Sequence, residues 1–188
     1  MWRSLSDGLH RFSNGWVALA SLVIFLLFSA LVLPSQASRA QSDIGDAGSP
    51  DLSFFYSEEE LYQMAERYGE DGRAAYIKAR FTFDLIWPLV YAAFLAAGIS
   101  WTFRKAFPLE SIWQQANIIP ILGAFFDYLE NVSTSIVMAR YPSQTVVLDV
   151  SAAIFTMLKW IFVTGSFVLL VIGVVVGVSR WARARRRQ

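Results

Sequence analysis

Four ionisable side chains, Asp84, Asp127, Glu130 and Lys159, fall inside stretches that are otherwise almost wholly apolar, with Asn131 beside them. In a bilayer such a group costs about 2.5 to 3.5 kcal/mol, so it faces a protein interior and has a partner. Asp127, Glu130, Asn131 and Thr134 recur at i, i+3, i+4 and i+7, which places them on one face of a helix. Arg73, Tyr76, Arg80, Asp84, Trp87 and Tyr91 form a second stripe at the same kind of spacing. Carboxyl groups held in a poorly solvated interior suit proton transfer. Glu130 and Asp127 are therefore the candidate catalytic acid and base, with Lys159 to tune them. Asp84, Arg80, Asn131, Trp87 and Tyr91 are the candidates for binding a ligand.

The helices that must position these residues are visible in the hydropathy. Of 188 residues, 55% are apolar and only 16% charged, and the mean hydropathy is +0.43. A soluble domain carries roughly a quarter charged residues, so lipid is the expected partner surface. Apolar stretches at 16–33, 81–103, 118–139 and 151–178 are each long enough to cross a hydrocarbon core as a helix, which takes about 20 residues. Backbone groups in lipid must be satisfied internally, so the fold expected is all-α: a polytopic membrane four-helix bundle forming one domain. Counted inward from the outer boundary at about 1.5 Å per residue, Asp84 lies about 5 Å deep, Glu130 and Lys159 about 12 to 14 Å, and Asp127 about 18 Å. Glu130 and Lys159 come out level and make the natural ion pair. Asp84, Arg80 and Arg140 sit nearer the outer mouth, and Asp127 has no evident cation.

Orientation follows from lysine and arginine. The segments before the first span, after the second and after the fourth carry nine basic residues, ending with Arg180, Arg183, Arg185, Arg186 and Arg187, against two acids, Asp7 and Glu110. The loop 34–80 carries nine acids and five basic residues. Both termini are therefore expected in the cytoplasm, with the chain in a cell inner (plasma) membrane. The start also resembles a secretory signal, with small residues at cleavage spacing over Gln36-Ala37-Ser38-Arg39-Ala40, although its apolar run is longer than the usual 7 to 15 residues or so. Cleavage there would leave three spans.

Residues 34–50, rich in Ser, Ala, Gly and Asp, read as a solvated linker. Ser57-Glu58-Glu59-Glu60 matches a capping box, and Leu61, Met64, Ala65 and Tyr68 follow at helical spacing up to Gly69, a natural stop. This predicts a short extracytoplasmic amphipathic helix, on the membrane face or over the bundle mouth, followed by a helix running on into the second span. Pro88 and Pro120 are expected to kink their helices. Gly173 and Gly177, with Ala92/Ala96 and Ala93/Ala97, form small-residue faces suited to close helix packing.

The absence of cysteine excludes disulfides, thiolate metal sites and cysteine nucleophiles, and one histidine, His10, excludes a His-rich metal centre. No metal or cofactor is expected. The net charge of +1 gives no reason to expect nucleic acid.

The chain resembles a type of uncharacterised bacterial four-span integral membrane protein. The likeness rests on Tyr68-Gly69, Gly72-Arg73, Tyr76, Asp84, Pro88, Tyr91, Gly123, the run Phe126-Asp127-Tyr128-Leu129-Glu130-Asn131, and Tyr141-Pro142. It covers roughly residues 55 to 165 and implies a four-helix membrane protein without implying a reaction. Three functions stay open: binding of a lipid or hydrophobic small molecule with acid–base chemistry, a proton or cation path, and an accessory or assembly subunit held to a membrane-protein partner.

Overall fold

The computed structural model describes residues 2–186, and every regular element among them is helical. Arg187 of the basic tail lies outside the described residues. In chain order the helices are α1 (Trp2–Phe12), α2 (Gly15–Leu27), α3 (Leu33–Ile44), α4 (Glu58–Arg80), α5 (Phe83–Ala106), α6 (Ile119–Arg140) and α7 (Val146–Arg185). Three stretches are long and apolar enough to cross a membrane: Gly15–Ile44, Glu58–Ala106 and Val147–Arg185.

Four were expected. The remaining one, α6, has the length, with 22 residues rising about 33 Å. Asp127, Glu130, Asn131, Ser133, Thr134 and Ser135 dilute its apolar character. Its position explains this: α6 packs against α4, α5 and α7. Asp127, Glu130, Asn131 and Thr134 are buried, while Phe125 and Val132 face outward. A helix enclosed by helices need not be apolar on its inner face.

The stretch read as a solvated linker is largely helical. Asn14 caps α2, accepting from the amides of Trp16 and Val17 at 2.9 and 3.0 Å. The helix then passes through a π turn at Phe28–Val32 into α3. Pro34 has no amide to donate and its ring crowds the carbonyl four residues earlier, so the ladder widens there. Helix α3 packs on α4 where Gly72 lets the chains meet: a Cβ at Gly72 would lie 3.1 Å from the Asp43 carbonyl oxygen.

The capping box forms as expected, with the Ser57 amide donating to Glu60 at 2.7 Å and the Glu60 amide donating to Ser57 Oγ at 3.2 Å. Gly69 breaks α4 at φ +63°, a conformation open to glycine without strain. Arg73 donates to the Ala65 carbonyl at 2.9 Å across that break and lies over the Tyr141 ring, so it does not join Arg80 and Asp84. The predicted run-on into the second span is also interrupted, because α4 ends at Arg80 and α5 begins at Phe83. The amphipathic helix covers the ends of α6 and α7: Leu61 and Ala65 pack with Val137, Met138, Ala152 and Ala153.

At the opposite end α1, which the sequence did not announce, is latched to the turn before α6. Ser6 Oγ donates to the Gln114 carbonyl, and Asn117 donates to the Ser6 carbonyl and to Ser100 Oγ. Helices α5 and α7 meet at Gly173, where a Cβ would lie 2.5 Å from Thr102 Oγ1 and 2.7 Å from the Phe103 ring. Gly173→Leu is therefore expected to cost about 1 to 3 kcal/mol of stability through overpacking, measured as a lower unfolding midpoint in detergent, with Gly177→Ala near neutral because only Lys105 Cβ, at 4.0 Å, approaches it.

Candidate functional site

The buried charges gather where α4 ends and α5, α6 and α7 face one another. Lys159 Nζ on α7 lies 2.5 Å from Glu130 Oε2 on α6, the pairing expected from their level positions. Glu130 is 0% exposed, and that contact is the only polar one its carboxylate makes among the described residues. Arg80 Nε lies 3.0 Å from Asp84 Oδ2, one turn on. Arg80 also donates to Asn131 Oδ1 at 3.5 Å and stacks 4.5 Å above the Tyr76 ring. Arg140, placed near the mouth by the sequence, is exposed and joins no ion pair among the described residues.

Among the described residues Asp127 has no cation beside it. It accepts instead from the Tyr91 hydroxyl at 2.9 Å and from Asn131 Nδ2 at 3.3 Å. These two donors satisfy a carboxyl group that is 7% exposed, as a buried polar group requires.

One member of the cluster was not foreseen. Asp51, on the single turn Pro50–Leu52, reaches in from the segment 45–57 and bridges the two cations. Its Oδ2 meets Arg80 and its Oδ1 lies 3.4 Å from Lys159. The strap is anchored on both sides: the Tyr68 hydroxyl donates to the Gly48 carbonyl at 2.7 Å, and Thr156 Oγ1 donates to the Tyr56 hydroxyl at 3.1 Å. Burial pushes the Tyr68 phenol up to about 12, so it remains the donor. For Asp51, burial acts upward, but the charges and hydrogen bonds of Arg80 and Lys159 outweigh it and hold the carboxyl below its ordinary value of 3.8.

A carboxyl depressed in the folded state contributes stability that is complete above 3.8 and is lost as pH falls through the lower folded value. Amide exchange in residues 45–57, corrected for intrinsic rates, is therefore expected to accelerate only below about pH 4. Asp51→Asn should show the fast rate already at pH 7, and equal protection in the two proteins at pH 7 would contradict the strap's dependence on this charge.

A cavity of about 440 Å³ opens above these groups. Its floor is Asp51, Arg80, Asp84, Asp127 and Lys159, and its walls include Phe25, Phe83, Trp87, Tyr91 and Phe167. Leu33, Gln36, Ala37 and Ala40 of the α2–α3 helix close one side. Trp87 stacks on Phe25 and Phe28 at centroid separations of 5.7 and 5.5 Å, which fixes the aromatic wall. Of the eight candidate residues, Arg80, Asp84, Trp87, Tyr91, Asp127 and Lys159 line the cavity; Glu130 and Asn131 are not on its surface and contact Lys159, Arg80 and Asp127. Glu130 is therefore placed to act through Lys159 rather than on a bound molecule. No cluster of metal-ligating side chains occurs among the described residues. No family model matches the chain, and no curated protein or solved structure matches it.

Proposed function

We propose that this chain is an integral membrane protein of the bacterial inner membrane, a four-helix bundle of α2, α5, α6 and α7 with both termini cytoplasmic. Its outer-half cavity binds a lipid or other hydrophobic small molecule by the polar head. The cavity carries this reading: a charged floor under aromatic walls matches a molecule with one polar and one apolar end. The lipid setting is supported by the inverted distribution of polarity. None of the apolar stretch within Gly15–Ile44 and 11% of that of α7 is buried within the protein, while Asp84, Asp127, Glu130 and Lys159 all are. Exposed apolar surface on that scale marks a lipid or partner interface. Helix α1 exposes Trp2, Leu5 and Phe12, as a helix lying in a membrane interface does.

In this reading Asp127 is the group that exchanges a proton with the ligand, oriented by Tyr91 and Asn131. Lys159 fixes the head electrostatically, and Glu130 sets the position of Lys159. The small-residue faces lend the accessory-subunit reading little, because Gly173 packs on Phe103 and Ala92, Ala96 and Ala97 are buried within the chain, which leaves only Ala93 and Gly177 toward the outside.

The cysteine-free sequence supplies a clean test. Ala37→Cys would carry a single thiol at the cavity wall, and Leu26→Cys one on the exposed face of α2. Adding back lipid extract from the native membrane to delipidated protein is expected to slow alkylation at position 37 at least tenfold and to leave position 26 within twofold. Equal effects at both positions would refute occupation of the cavity.

A further inference from the structure

Two pairs join charges borne on the long helices, Arg80 with Asp84 at 3.0 Å and Lys159 with Glu130 at 2.5 Å, while Asp127 accepts from Tyr91 and Asn131 instead. Asp51 is a third acid laid across both cations, its two oxygens divided between them. Asp51 alone in the cluster sits on a short turn rather than a long helix, between Gly48, at φ +81°, and Ser53. Lifting that turn would uncover both cations without unpacking a helix.

We propose that the head group taken by the cavity is an anion, a carboxylate or phosphate carried on an apolar chain, and that Asp51 is an internal stand-in for it. This rests on the reading of the cavity as a site for an amphiphile. Two cations converging on one carboxylate form the arrangement that recognises carboxylates and phosphates. An incoming carboxylate that displaces Asp51 leaves the buried charge count unchanged, and a phosphate monoester adds up to about one further negative charge, so neither Arg80 nor Lys159 is left less compensated. Trp160, whose side chain also lines the cavity, has a buried indole N–H with no acceptor among the described residues. The rival is an amine, since Asp51, Asp84, Asp127 and Glu130 outnumber Arg80 and Lys159. Asp127, however, is held by two donors of its own and Asp84 lies against Arg80, whereas both cations meet at the carboxylate of Asp51.

The test is native mass spectrometry of delipidated protein in an uncharged detergent, titrated separately with oleate, oleoyl lysophosphatidate, oleylamine, oleyl alcohol, acetate and inorganic phosphate. The two chain-bearing anions are expected to bind, and about tenfold more tightly to Asp51→Asn than to wild type, since the strap no longer competes. The amine and the alcohol should bind more weakly and with no preference between the two proteins. If Asp51→Asn does not accumulate, the order of oleate over oleylamine and oleyl alcohol on wild type decides the matter alone. Oleylamine or oleyl alcohol binding as tightly as oleate would overturn the anion and leave the amphiphile site standing. Acetate or phosphate binding as tightly as the chain-bearing anions would support the anion site and remove the need for an apolar chain. Binding of none of the six would overturn both readings.

Discussion

Lys159→Met alone is expected to lower stability by about 3 to 5 kcal/mol, and adding Glu130→Met is expected to restore most of the loss. The single change leaves Glu130, which is 0% exposed, with no polar contact among the described residues, and it strips Asp51 of one of its two cations. An uncompensated buried charge is worse than an apolar pair of similar volume, because the desolvation cost of each ion is repaid only by its partner. Unfolding in mixed micelles, with all variants in the same detergent, measures the difference. A double variant as unstable as the single one would mean that Lys159 stabilises through Asp51 and the strap rather than through Glu130. Two separable roles for one lysine would then have to be distinguished with Asp51→Asn.

Ala37→Trp is expected to reduce retention of the native ligand at least about a hundredfold, roughly 2.7 kcal/mol of binding, with little change in the unfolding midpoint. Ala37 lies on the cavity wall and is exposed to it rather than packed in a core, so an indole there fills space that a ligand needs without displacing a helix contact. It also touches none of the ion pairs. Loss of binding in this variant would therefore report occupancy of the cavity, and could not arise from a broken charge cluster.

Much of the site was legible because helical spacing maps directly onto faces. The i, i+3, i+4, i+7 run on α6 put Asp127, Glu130, Asn131 and Thr134 together, and all four are buried. Equal depth identified the Glu130–Lys159 pair, and the capping box located the start of α4. What stayed hidden depends on tertiary packing. Asp51 lies in a turn, and no periodicity marks a turn residue as one that folds inward between two cations. Residues 35–44 are polar enough to pass for a linker, but they carry the helix on because α3 rests on α4 at Gly72. The break at Phe81–Thr82 has neither Gly nor Pro to announce it; Thr82 Oγ1 instead bonds back to the Lys78 carbonyl at 2.7 Å. The stripe from Arg73 to Tyr91 therefore spans two helices, and its outermost member, Arg73, turns to Tyr141.

The central claim is that the cavity over Asp51, Arg80, Asp84, Asp127 and Lys159 holds an amphiphile. Native mass spectrometry of protein released from its own membranes, wild type beside Ala37→Trp, addresses it most directly. A discrete small mass retained by wild type and absent from Ala37→Trp is the result expected, and its composition would name the chemical class of the ligand. The same bare mass for both proteins, or the same adduct on both, would contradict the claim and leave the buried charges as ties between helices.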